Sequence, residues 1–447
     1  MQNSFTRRKF LKGTIASATL PLVFPRSLRA ETATLEKTIK LAAIGCGGRS
    51  NVIGHAYFAK IEGVQVVAAA DPFLSKAEDY AKKINTTYGQ DVCRAYQDFR
   101  DVLKRDDIDG VVVATPDHWH VPVAHAAALA GKDMYVEKPL SLALNWAKKL
   151  RTECQGKDLV FQYGTQQRSE KSARLAVDVV RSGYIGKITK VDVWSPHLDE
   201  SDRTMETLGK PVPEDLNLDL YQGPSKVRPY SPEIYSMKGS WHCYDHALGF
   251  IAGWGAHPLD ILQWGLDTDH TGPVEMSGTG TLPPDGVAYD TVRTWDLNFR
   301  YASGIPVRFA SANLIKEDVM KYHRAFNGDG TTFHGTDGWV SYSRGACYLF
   351  KNGQFENAQK ITLDPSYTRV YESTHHYQNF IDCMRSRKPT VNPLESAIRS
   401  DTISLLGDIV IRSGKALKWD PEQEMIIDGT ADQLAMMDRE MREPYAI

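Results

Sequence analysis

Short apolar runs separated by amphipathic segments organise the first half of the chain. The runs Ile39–Ile44 and Val64–Ala70 have the length of strands, and a turn at 45–50 and a helix-compatible segment at 51–61 lie between them. Apolar runs of this length bounded by turn residues are typical of strands that are buried on both faces. The order strand, helix, strand therefore predicts a unit of a parallel sheet.

The same pattern continues to about residue 150. The apolar run 111–114 leads into the motif A-T-P-D-H-W-H (114–120), a helical segment through His125 closes at Gly131, and the run 134–136 leads into E-K-P (137–139). Repeated strand–helix units of this size are typical of a doubly wound sheet. They predict an α/β domain of this kind over residues 38–160.

The pattern changes in the second half, where alternation with a period of two becomes common. Residues 187–194 alternate as a strand, 292–300 and 305–310 predict a hairpin, and 331–343 indicates another strand pair. Alternation is typical of a sheet with one buried face. It predicts an α+β domain over 161–447 with a broad, one-sided sheet.

Two other segments of this half have a distinct composition. The proline-dense stretch 209–232 predicts a long loop over a cleft, and residues 395–413 predict a closing helix.

The first thirty residues have the pattern of an export leader. Arg7 and Arg8 stand in a basic stretch, an apolar run follows at 13–24, and Ala30 offers a small residue for cleavage. This order predicts a twin-arginine signal peptide over 1–30 and a periplasmic or otherwise exported protein, with the export machinery as a partner. The alternative is a chance basic N-terminus before a buried helix. No other apolar run is long enough to span a membrane, so no membrane association is expected after leader removal.

Charge and cysteine usage narrow the classes of function. The leader holds six cations and no Asp or Glu, so its removal changes the formal net charge from -2 to about -8. No basic stretch follows it, which argues against a nucleic-acid partner. Six cysteines without C-x-x-C spacing make a disulfide framework unexpected. Nine tryptophans and twenty tyrosines could offer faces to sugar rings, although most such side chains fill cores.

The turn after the first strand has the features of a dinucleotide site. Gly45, Gly47 and Gly48 would let the backbone approach a pyrophosphate at a helix N-terminus, and Asp71 lies 26 residues after Gly45. A carboxylate there binds a ribose hydroxyl and repels a 2′-phosphate, which favours NAD over NADP. Ser50 stands where G-x-G-x-x-G has its third glycine. The motif alone therefore also fits a glycine turn in another α/β protein.

The continuation of the chain resembles the Gfo/Idh/MocA oxidoreductases. The resemblance rests on A-T-P-D-H-W-H, the following helix, G-K-D (131–133) and Y-V-E-K-P-L (135–140), with weaker similarity at 164–169 and 253–260. It implies an N-terminal Rossmann domain, a C-terminal α+β domain with an open-faced mixed β-sheet, and an active site between them. Homo-oligomers are common in that family. The positions that the resemblance assigns to the cofactor are Gly45, Gly47, Gly48, Arg49, Asp71, Thr115, Pro116, Trp119, His120, Glu137, Lys138 and Gln166.

The resemblance also implies the catalytic groups. Lys138 would contact the substrate hydroxyl and assist proton transfer, and His257 would take the proton as hydride leaves the substrate carbon. Asp260, one helical turn later, could orient His257. The family's dehydrogenases usually carry an acid four residues before this histidine, where this chain has Gly253. A core histidine on a buried helix is the alternative for His257.

The segment 245–249 (D-H-A-L-G) is similar to a loop of glycoside hydrolase family 109. That relative also bears export leaders, and it uses bound NAD to oxidise a sugar transiently at C3, so that elimination at C2 cleaves the glycoside without net redox change. By position, His246 would be the base for the C2 proton. The alternative for Asp245 is a helix cap.

Other polar residues are expected at the substrate. Arg168 could bind hydroxyls or a carboxylate, or form a surface ion pair. A divalent metal on His242, Asp245, His246 and His257 is an alternative, but these histidines have no recognised metal-site spacing, and no metal is predicted. The substrate-site residues expected from the sequence are Arg168, Trp241, Tyr244, Asp245 and Asp260.

Taken together, the patterns predict an exported enzyme that acts on a small carbohydrate by hydride transfer at a ring carbon. Because no NADH pool exists outside the cytoplasm, such an enzyme should hold NAD tightly and regenerate it in place. This favours redox-neutral glycoside cleavage. The alternatives are a net sugar oxidoreductase and a non-catalytic, NAD-containing carbohydrate-binding protein.

Overall fold

A computed structural model describes residues 37–199, 205, 207–236, 238–323 and 328–447. The leader predicted at 1–30 lies outside these residues. Two sheets organise the described chain, one parallel and one mixed.

The first sheet has six strands, and four of them correspond to the apolar runs identified in the sequence. Its strands are β1 (Ile39–Ile44), β2 (Val64–Ala70), β3 (Arg94–Tyr96), β4 (Gly110–Val113), β5 (Asp133–Val136) and β6 (Phe161–Tyr163). All pairs are parallel, in the order β3-β2-β1-β4-β5-β6. The strand order reverses between β1 and β4, which is where such sheets bind ligands beyond the strand carboxyl ends.

Helices connect these strands. They are α1 (Gly48–Ala56), α2 (Leu74–Tyr88), α3 (Phe99–Leu103), α4 (His120–Leu129) and α5 (Leu144–Cys154). The predicted helix at 51–61 is shorter than expected, since α1 ends at Ala56 and a separate 3-10 turn covers Phe58–Lys60. Apolar residues of the strands, such as Val111 and Val113, are fully buried between the helical layers.

The second sheet has ten strands and a single parallel pair. Its strands are β7 (Ile188–Ser195), β8 (Pro273–Thr281), β9 (Thr294–Tyr301), β10 (Pro306–Ser311), β11 (Gly330–Gly335), β12 (Gly338–Ser343), β13 (Ala346–Lys351), β14 (Gln354–Glu356), β15 (Leu417–Asp420) and β16 (Met425–Ile427). Their order is β14-β13-β12-β11-β7-β10-β9-β8-β15-β16, and only β7 and β10 run parallel. The predicted hairpin and strand pair are β9–β10 and β11–β12.

Alternation divides the two faces of this sheet. In β9 the buried residues are Trp295, Leu297, Phe299 and Tyr301, and the residues between them are less buried and polar. Arg308 and Asp296 form an ion pair on the polar face at 2.8 Å. The sheet is therefore mixed and open-faced, as the sequence predicted.

Helices pack against the apolar face of the second sheet and against the N-terminal sheet. They are α6 (Lys171–Arg181), α7 (Leu218–Gln222), α8 (Gly239–His242), α9 (Phe250–Gly253), α10 (Ala256–Leu266), α11 (Ala312–Val319), α12 (His376–Ser386), α13 (Leu394–Ser413) and α14 (Ala431–Ala435). The closing helix expected at 395–413 is α13, and α7 interrupts the loop expected at 209–232. Within the described residues, no helix is both long and apolar enough to cross a membrane.

Candidate active site

A cleft of about 530 Å³ lies at the carboxyl ends of β1, β2, β4 and β5. Its volume falls in the range of small-molecule sites. All twelve residues expected at the cofactor line it, and so do Trp241 and His257 from the second half of the chain. The structure thus places the cofactor motifs beside one of the two histidines expected to act in catalysis.

The turn after β1 has the geometry that a dinucleotide requires. Gly45 has a φ of +85°, and a Cβ atom there would lie 2.6 Å from the carbonyl oxygen of Ala114. Gly47 precedes the first turn of α1, whose N–H groups are suited to a pyrophosphate. Close helix packing falls to Gly54, where a Cβ would lie 1.8 Å from the Tyr80 hydroxyl. Gly54 therefore permits the close approach of Tyr80 of α2 to α1.

The end of β2 presents the acid that was expected at the ribose. Asp71 accepts hydrogen bonds from the main-chain N–H groups of Cys46 (2.8 Å) and Phe73 (2.9 Å). Burial raises the pKa of Asp71, and the two N–H donors oppose that shift. Lys76 lines the same end of the cleft, with its ammonium 3.7 Å from the Phe73 ring centroid. Lys76 was not predicted, because it belongs to no motif.

A network fixes the loops after β4 and β5. Arg49 Nε donates to Glu137 Oε1 at 2.9 Å, and Gln166 Nε2 donates to the same oxygen at 3.0 Å. The His120 ring lies within hydrogen-bond distance of the carbonyl oxygens of Thr115 and Pro139. The cofactor side of the cleft is therefore held in place by residues of three separate sequence motifs.

Lys138 and His257 both line this cleft. Lys138 Nζ donates a 2.6 Å hydrogen bond to the carbonyl oxygen of Gly253, and it lies 5.4 Å from the Trp241 ring centroid. Burial lowers the pKa of Lys138, although the neighbouring carboxyls of Glu137 and Asp117 oppose that shift. Burial and then the charge of Lys138 hold the pKa of His257 well below 6.5. The imidazole of His257 is therefore neutral, which is the form that can accept a proton.

Asp260 does not orient His257, contrary to the sequence-based expectation. Its carboxylate accepts from Arg168 (2.7 and 2.8 Å), Thr165 (2.7 Å), Ser400 (3.0 Å) and Asn392 (2.9 Å). Asp260 is fully buried, so it cannot contact substrate either. Its place one turn after His257 in α10 turns the carboxylate towards the interior.

Arg168 is also absent from the cleft. It is 1 % exposed, and besides Asp260 its guanidinium donates to Asp269 at 2.8 and 2.9 Å. Burial alone would lower the pKa of Arg168, but the two carboxylates raise it. The expected substrate contact and the expected surface ion pair are both wrong, since Arg168 forms a buried, bidentate ion-pair network.

His246 is buried away from the cleft. Its side chain has no exposed area, and its ring stacks on His118 at 4.5 Å. Within the described residues, neither ring nitrogen has a hydrogen-bond partner. Burial holds its pKa well below 6.5. The role expected for it, a base that contacts substrate, does not fit this position.

Two neighbours of His246 are engaged elsewhere as well. Asp245 pairs with Arg228 at 3.0 Å and caps no helix, because α9 begins at Phe250 with Gly249 before it. The Tyr244 ring lies 3.4 Å from the Arg412 guanidinium carbon, on the α13 side. Neither residue lines the cleft, so both expected substrate contacts are corrected.

The residues considered for a metal do not come together. Across the part of the chain that the structure describes, no three His, Cys, Asp or Glu side chains form a group that could hold an ion. His242 packs edge-on against Phe250 at 4.7 Å, while His257 faces the cleft. The alternative of a metal on this cluster therefore has no geometric support.

A loop from the second half closes the Asp71 end of the cleft, which is the end expected to hold the adenosine of the cofactor. Leu74 N donates to Asp215 O and Asn217 N donates to Pro72 O, both at 2.9 Å. These bonds place Leu220 and Tyr221 of α7 on the cleft wall. The loop predicted over a cleft is therefore attached to the segment that follows Asp71.

Some lining residues carried no sequence signal. They come from segments outside the motifs, and only the fold brings them to the cleft. The main examples are Gln97, Phe99, Tyr221, Tyr235 and Arg344.

Comparison with known proteins identifies a matching family model for each half of the chain. A family model described as "Oxidoreductase family, NAD-binding Rossmann fold" matches residues 39–165, and its partner, "Oxidoreductase family, C-terminal alpha/beta domain", matches 200–447. The NAD cradle around Gly45 agrees with the first description.

Curated relatives align over part of their length only. A glycosyl hydrolase family 109 protein 2 of Shewanella sp. (strain ANA-3) is 33% identical over 162 residues, which cover 31% of this chain and 34% of the relative. The scyllo-inositol 2-dehydrogenase (NAD(+)) of Bacillus subtilis (strain 168) is 26% identical over 153 residues, which cover 34% of this chain and 43% of the relative. The chain thus spans about a third to under half of these relatives.

Solved structures share the fold over most of the chain. GenD2 from gentamicin A biosynthesis, solved in complex with NAD, has a TM-score of 0.60 and 16% identity, over 86% of this chain and 97% of that one. This likeness supports the order and arrangement of the two sheets.

Proposed function

The chain belongs to the Gfo/Idh/MocA oxidoreductase family, and we propose that it is an exported enzyme that retains NAD and transfers hydride at a ring carbon of a sugar or glycoside. The single observation that carries this proposal is the placement of Lys138 and His257 in the cleft that holds the NAD-binding motifs. The residues that would hold NAD are those around Gly45, Asp71 and Glu137. When bound there, NAD supplies the hydride acceptor.

Lys138 and His257 would carry out the proton transfer. Oxidation of a ring C–OH requires loss of the hydroxyl proton, and His257, neutral at physiological pH, can accept it. Lys138 gives one N–H to Gly253, and its other N–H groups can stabilise the developing negative charge on the substrate oxygen. His257 would therefore act as the base, and Lys138 would stabilise the developing negative charge.

Retention of NAD is supported by the loop over the adenosine end. Two main-chain hydrogen bonds tie residues 215 and 217 to the segment 72–74. Release of a dinucleotide would require this loop to open. A retained cofactor suits a reaction that restores it in every cycle, as an exported enzyme would need.

We therefore favour redox-neutral glycoside cleavage. Oxidation at C3 acidifies the C2 proton, removal of that proton expels the aglycone, water adds back, and reduction at C3 restores the sugar. The sum is hydrolysis, with no net oxidant consumed. The similarity to a glycosyl hydrolase family 109 protein supports this choice, although it covers only a third of that relative.

A net sugar oxidoreductase is the second candidate. It is favoured by one observation, the full burial of His246, which removes the expected C2 base from the cleft. Such an enzyme would pass its electrons to a second sugar or to another exported protein.

The deciding experiment uses enzyme purified without added NAD and a panel of 4-nitrophenyl glycosides. Many aglycones released per enzyme would support the redox-neutral cycle. No release, with at most one equivalent of NADH in the absorbance spectrum, would favour the net oxidoreductase. Lys138→Ala should abolish either activity, whereas Lys104→Ala, an exposed lysine outside the cleft, should not. A protein with no turnover on any carbohydrate would instead indicate a binding module.

Export is tested separately. A variant with Arg7→Lys and Arg8→Lys should stay in the cytoplasm on cell fractionation, while the parent chain is recovered outside it. Equal export of both would contradict the twin-arginine assignment.

A further inference from the structure

A buried carboxyl of α13 binds the loop that carries Lys138. Asp401 lies near the middle of this helix and is 1% exposed. Its Oδ2 atom accepts a 2.9 Å hydrogen bond from the main-chain N–H of Ser141, three residues after Lys138. Asp401 does not line the cleft, so it is not placed to contact a substrate or the cofactor. Any effect on the chemistry must therefore pass through the loop that it binds or through its charge.

Two further side chains hold the same loop. The Tyr163 hydroxyl accepts a 3.1 Å hydrogen bond from the Leu140 N–H and donates to Asp401 Oδ1 at 3.3 Å. The His120 ring lies within hydrogen-bond distance of the Pro139 carbonyl oxygen. Buried main-chain groups need hydrogen-bond partners, so these buried side chains fix the path of the chain directly after the lysine.

The neighbour of Asp401 contacts the helix that carries the second proton-transfer residue. Ser400 Oγ donates a 3.0 Å hydrogen bond to Asp260 Oδ1, and Asp260 lies one turn after His257 in α10. Adjacent residues of α13 thus contact the loop of Lys138 and the helix of His257. This helix therefore fixes the positions of the two groups relative to each other.

Asp401 also acts on the lysine through charge. Burial raises the pKa of Asp401 to about 7, although three hydrogen bonds to its carboxyl oppose that shift. Burial raises the pKa of Asp117, a cleft residue, and the charge of Asp401 raises it further, while Lys138 opposes both. Protonation of one of these three groups therefore changes the other two. The other charged or titratable groups that interact with Lys138 are Glu137, Arg49, Arg344, Asp329 and His257.

We propose that Asp401 is a positioning residue for Lys138, because its carboxyl fixes the loop from which the lysine reaches the cleft. This inference rests on the proposed function, since it gives Asp401 a part in the same proton transfer. Lys138 is anchored at both ends, at Nζ by the Gly253 carbonyl oxygen (2.6 Å) and at its main chain by the loop. Loss of the acceptor at Ser141 would move Nζ away from the substrate hydroxyl, and a displacement on the order of 1 Å can lower a rate about 100-fold.

The test removes the acceptors of this loop one at a time. Asp401→Ala removes the acceptor of the Ser141 N–H, and Asp401→Asn keeps an acceptor oxygen there but loses the charge. Tyr163→Phe removes the acceptor of the Leu140 N–H alone. The matched control is Asp408→Ala, which removes another buried carboxyl of α13, two turns later, that pairs with an arginine of the same helix.

Two measurements report the position of the lysine. The first is kcat and KM for a glycoside that the 4-nitrophenyl panel identifies as a substrate. The second is the pKa of Lys138 in the NAD-loaded enzyme, obtained from the rate at which trace acetic anhydride labels it at a series of pH values, with mass spectrometry as the readout. A lysine that leaves its buried place should regain a pKa closer to its ordinary value, since burial is the main cause of its lowered pKa.

Asp401→Ala should lower kcat at least about 100-fold with little change in KM, and it should raise the pKa of Lys138. Asp401→Asn should retain more activity than Asp401→Ala, and Tyr163→Phe should lower kcat by a smaller factor, about ten-fold. Asp408→Ala should match the wild type in both measurements. An equal loss of kcat in Asp401→Ala and Asp408→Ala, or an unchanged kcat and pKa in Asp401→Ala, would overturn the proposal.

The labelling measurement separates this inference from the proposed function. If no glycoside is turned over, the proposed function fails, yet a raised pKa of Lys138 in Asp401→Ala, and not in Asp408→Ala, would still support the positioning role. An unchanged pKa would contradict it whatever the activity. If Asp401→Ala does not fold, Tyr163→Phe takes its place, and wild-type kcat and pKa in that variant would overturn the proposal.

Discussion

Lys138 Nζ donates a 2.6 Å hydrogen bond to the main-chain carbonyl oxygen of Gly253, the residue four positions before His257. In the resembling dehydrogenases an acid usually occupies this position. Here a carbonyl dipole takes the place of a carboxylate charge. The side-chain nitrogen of Lys138 is therefore held in position, but its protonated form is less favoured than it would be beside an anion.

The first prediction concerns the introduction of an acid at position 253. A Cβ on Gly253 would meet no atom within 4 Å, so Gly253→Asp should fold normally. Its carboxylate should raise the pKa of Lys138 and shift the alkaline limb of the kcat/KM profile upward by about one pH unit. Gly253→Asn is the uncharged control. Gly255→Asp should lose the fold, because a Cβ there would lie 1.9 Å from the Ile251 carbonyl oxygen.

The second prediction contrasts the two histidines that the sequence proposed as bases. His257→Gln should lower kcat at least about 100-fold while leaving the melting temperature nearly unchanged, because a general base is lost. His246→Phe should keep activity and should not destabilise the fold, since the buried His246 ring makes no hydrogen bond to a described residue. Kinetics and thermal melts check both. Loss of activity in His246→Phe with an unchanged fold would show that His246 takes part in the mechanism.

The cofactor half of the site could be predicted because its signals are local. The glycine turn, the acid at the next strand end and E-K-P each follow a predicted strand. The carboxyl ends of parallel strands meet at the same edge of the sheet, so these motifs come together there. Hence all twelve expected cofactor residues line the cleft.

The substrate half could not be predicted in the same way. Whether Arg168 or Asp260 faces a cleft depends on Asp269 and Asn392, which no spacing connects to them. The same holds for Tyr244, whose ring is covered by Arg412. Arg344 gave no signal because a turn residue reaches the cleft only when the sheet forms. Long-range partners decide these positions, and a single sequence does not contain them.

The third prediction concerns pH and Asp117. Burial raises its folded pKa from 3.8 to about 8, so the protonated form is favoured and its stabilising contribution is lost as pH rises between these values. Asp117→Asn removes this titration. The variant should become more stable relative to wild type by up to about 1.4 kcal/mol per pH unit over that window.

Urea unfolding at pH 5, 6, 7 and 8 measures this difference, and other titrating groups cancel between the two proteins. Asp101→Asn on the exposed surface of α3 serves as the control. A constant difference across the four pH values would show that Asp117 is ionised in the folded state throughout.

The fourth prediction concerns cofactor choice. Asp71→Ser removes the charge that would repel a 2′-phosphate, and Lys76 lines the same end of the cleft. The ratio of NADP to NAD affinity should therefore rise about ten-fold or more. Adding Lys76→Ala should cancel most of the gain, whereas Asp91→Asn on the surface should have no effect. Calorimetric titration of nucleotide-free protein checks this. An unchanged ratio in Asp71→Ser would mean that the carboxylate does not face the ribose.

The last prediction concerns how the cofactor is retained. Tyr445 packs edge-on against Trp119 at 5.3 Å, and its hydroxyl donates to Asp219 of α7 at 2.7 Å. The Trp119 indole in turn donates to the carbonyl oxygens of Leu220 and Tyr221. The C-terminal segment thus holds α7 against the adenosine end of the cleft.

Loss of that contact should let the loop open more often. Tyr445→Ala should raise the NAD dissociation rate about ten-fold or more, because it removes both the ring packing and the hydrogen bond. Tyr445→Phe, which removes the hydroxyl alone, should have a smaller effect, and the exposed Met425→Ala should have none. The measurement is the NAD content of purified protein followed over time on dilution into buffer without nucleotide. If Tyr445→Ala keeps its NAD as long as the wild type, α7 does not control release, and retention must come from the glycine turn and the Arg49–Glu137 pair instead.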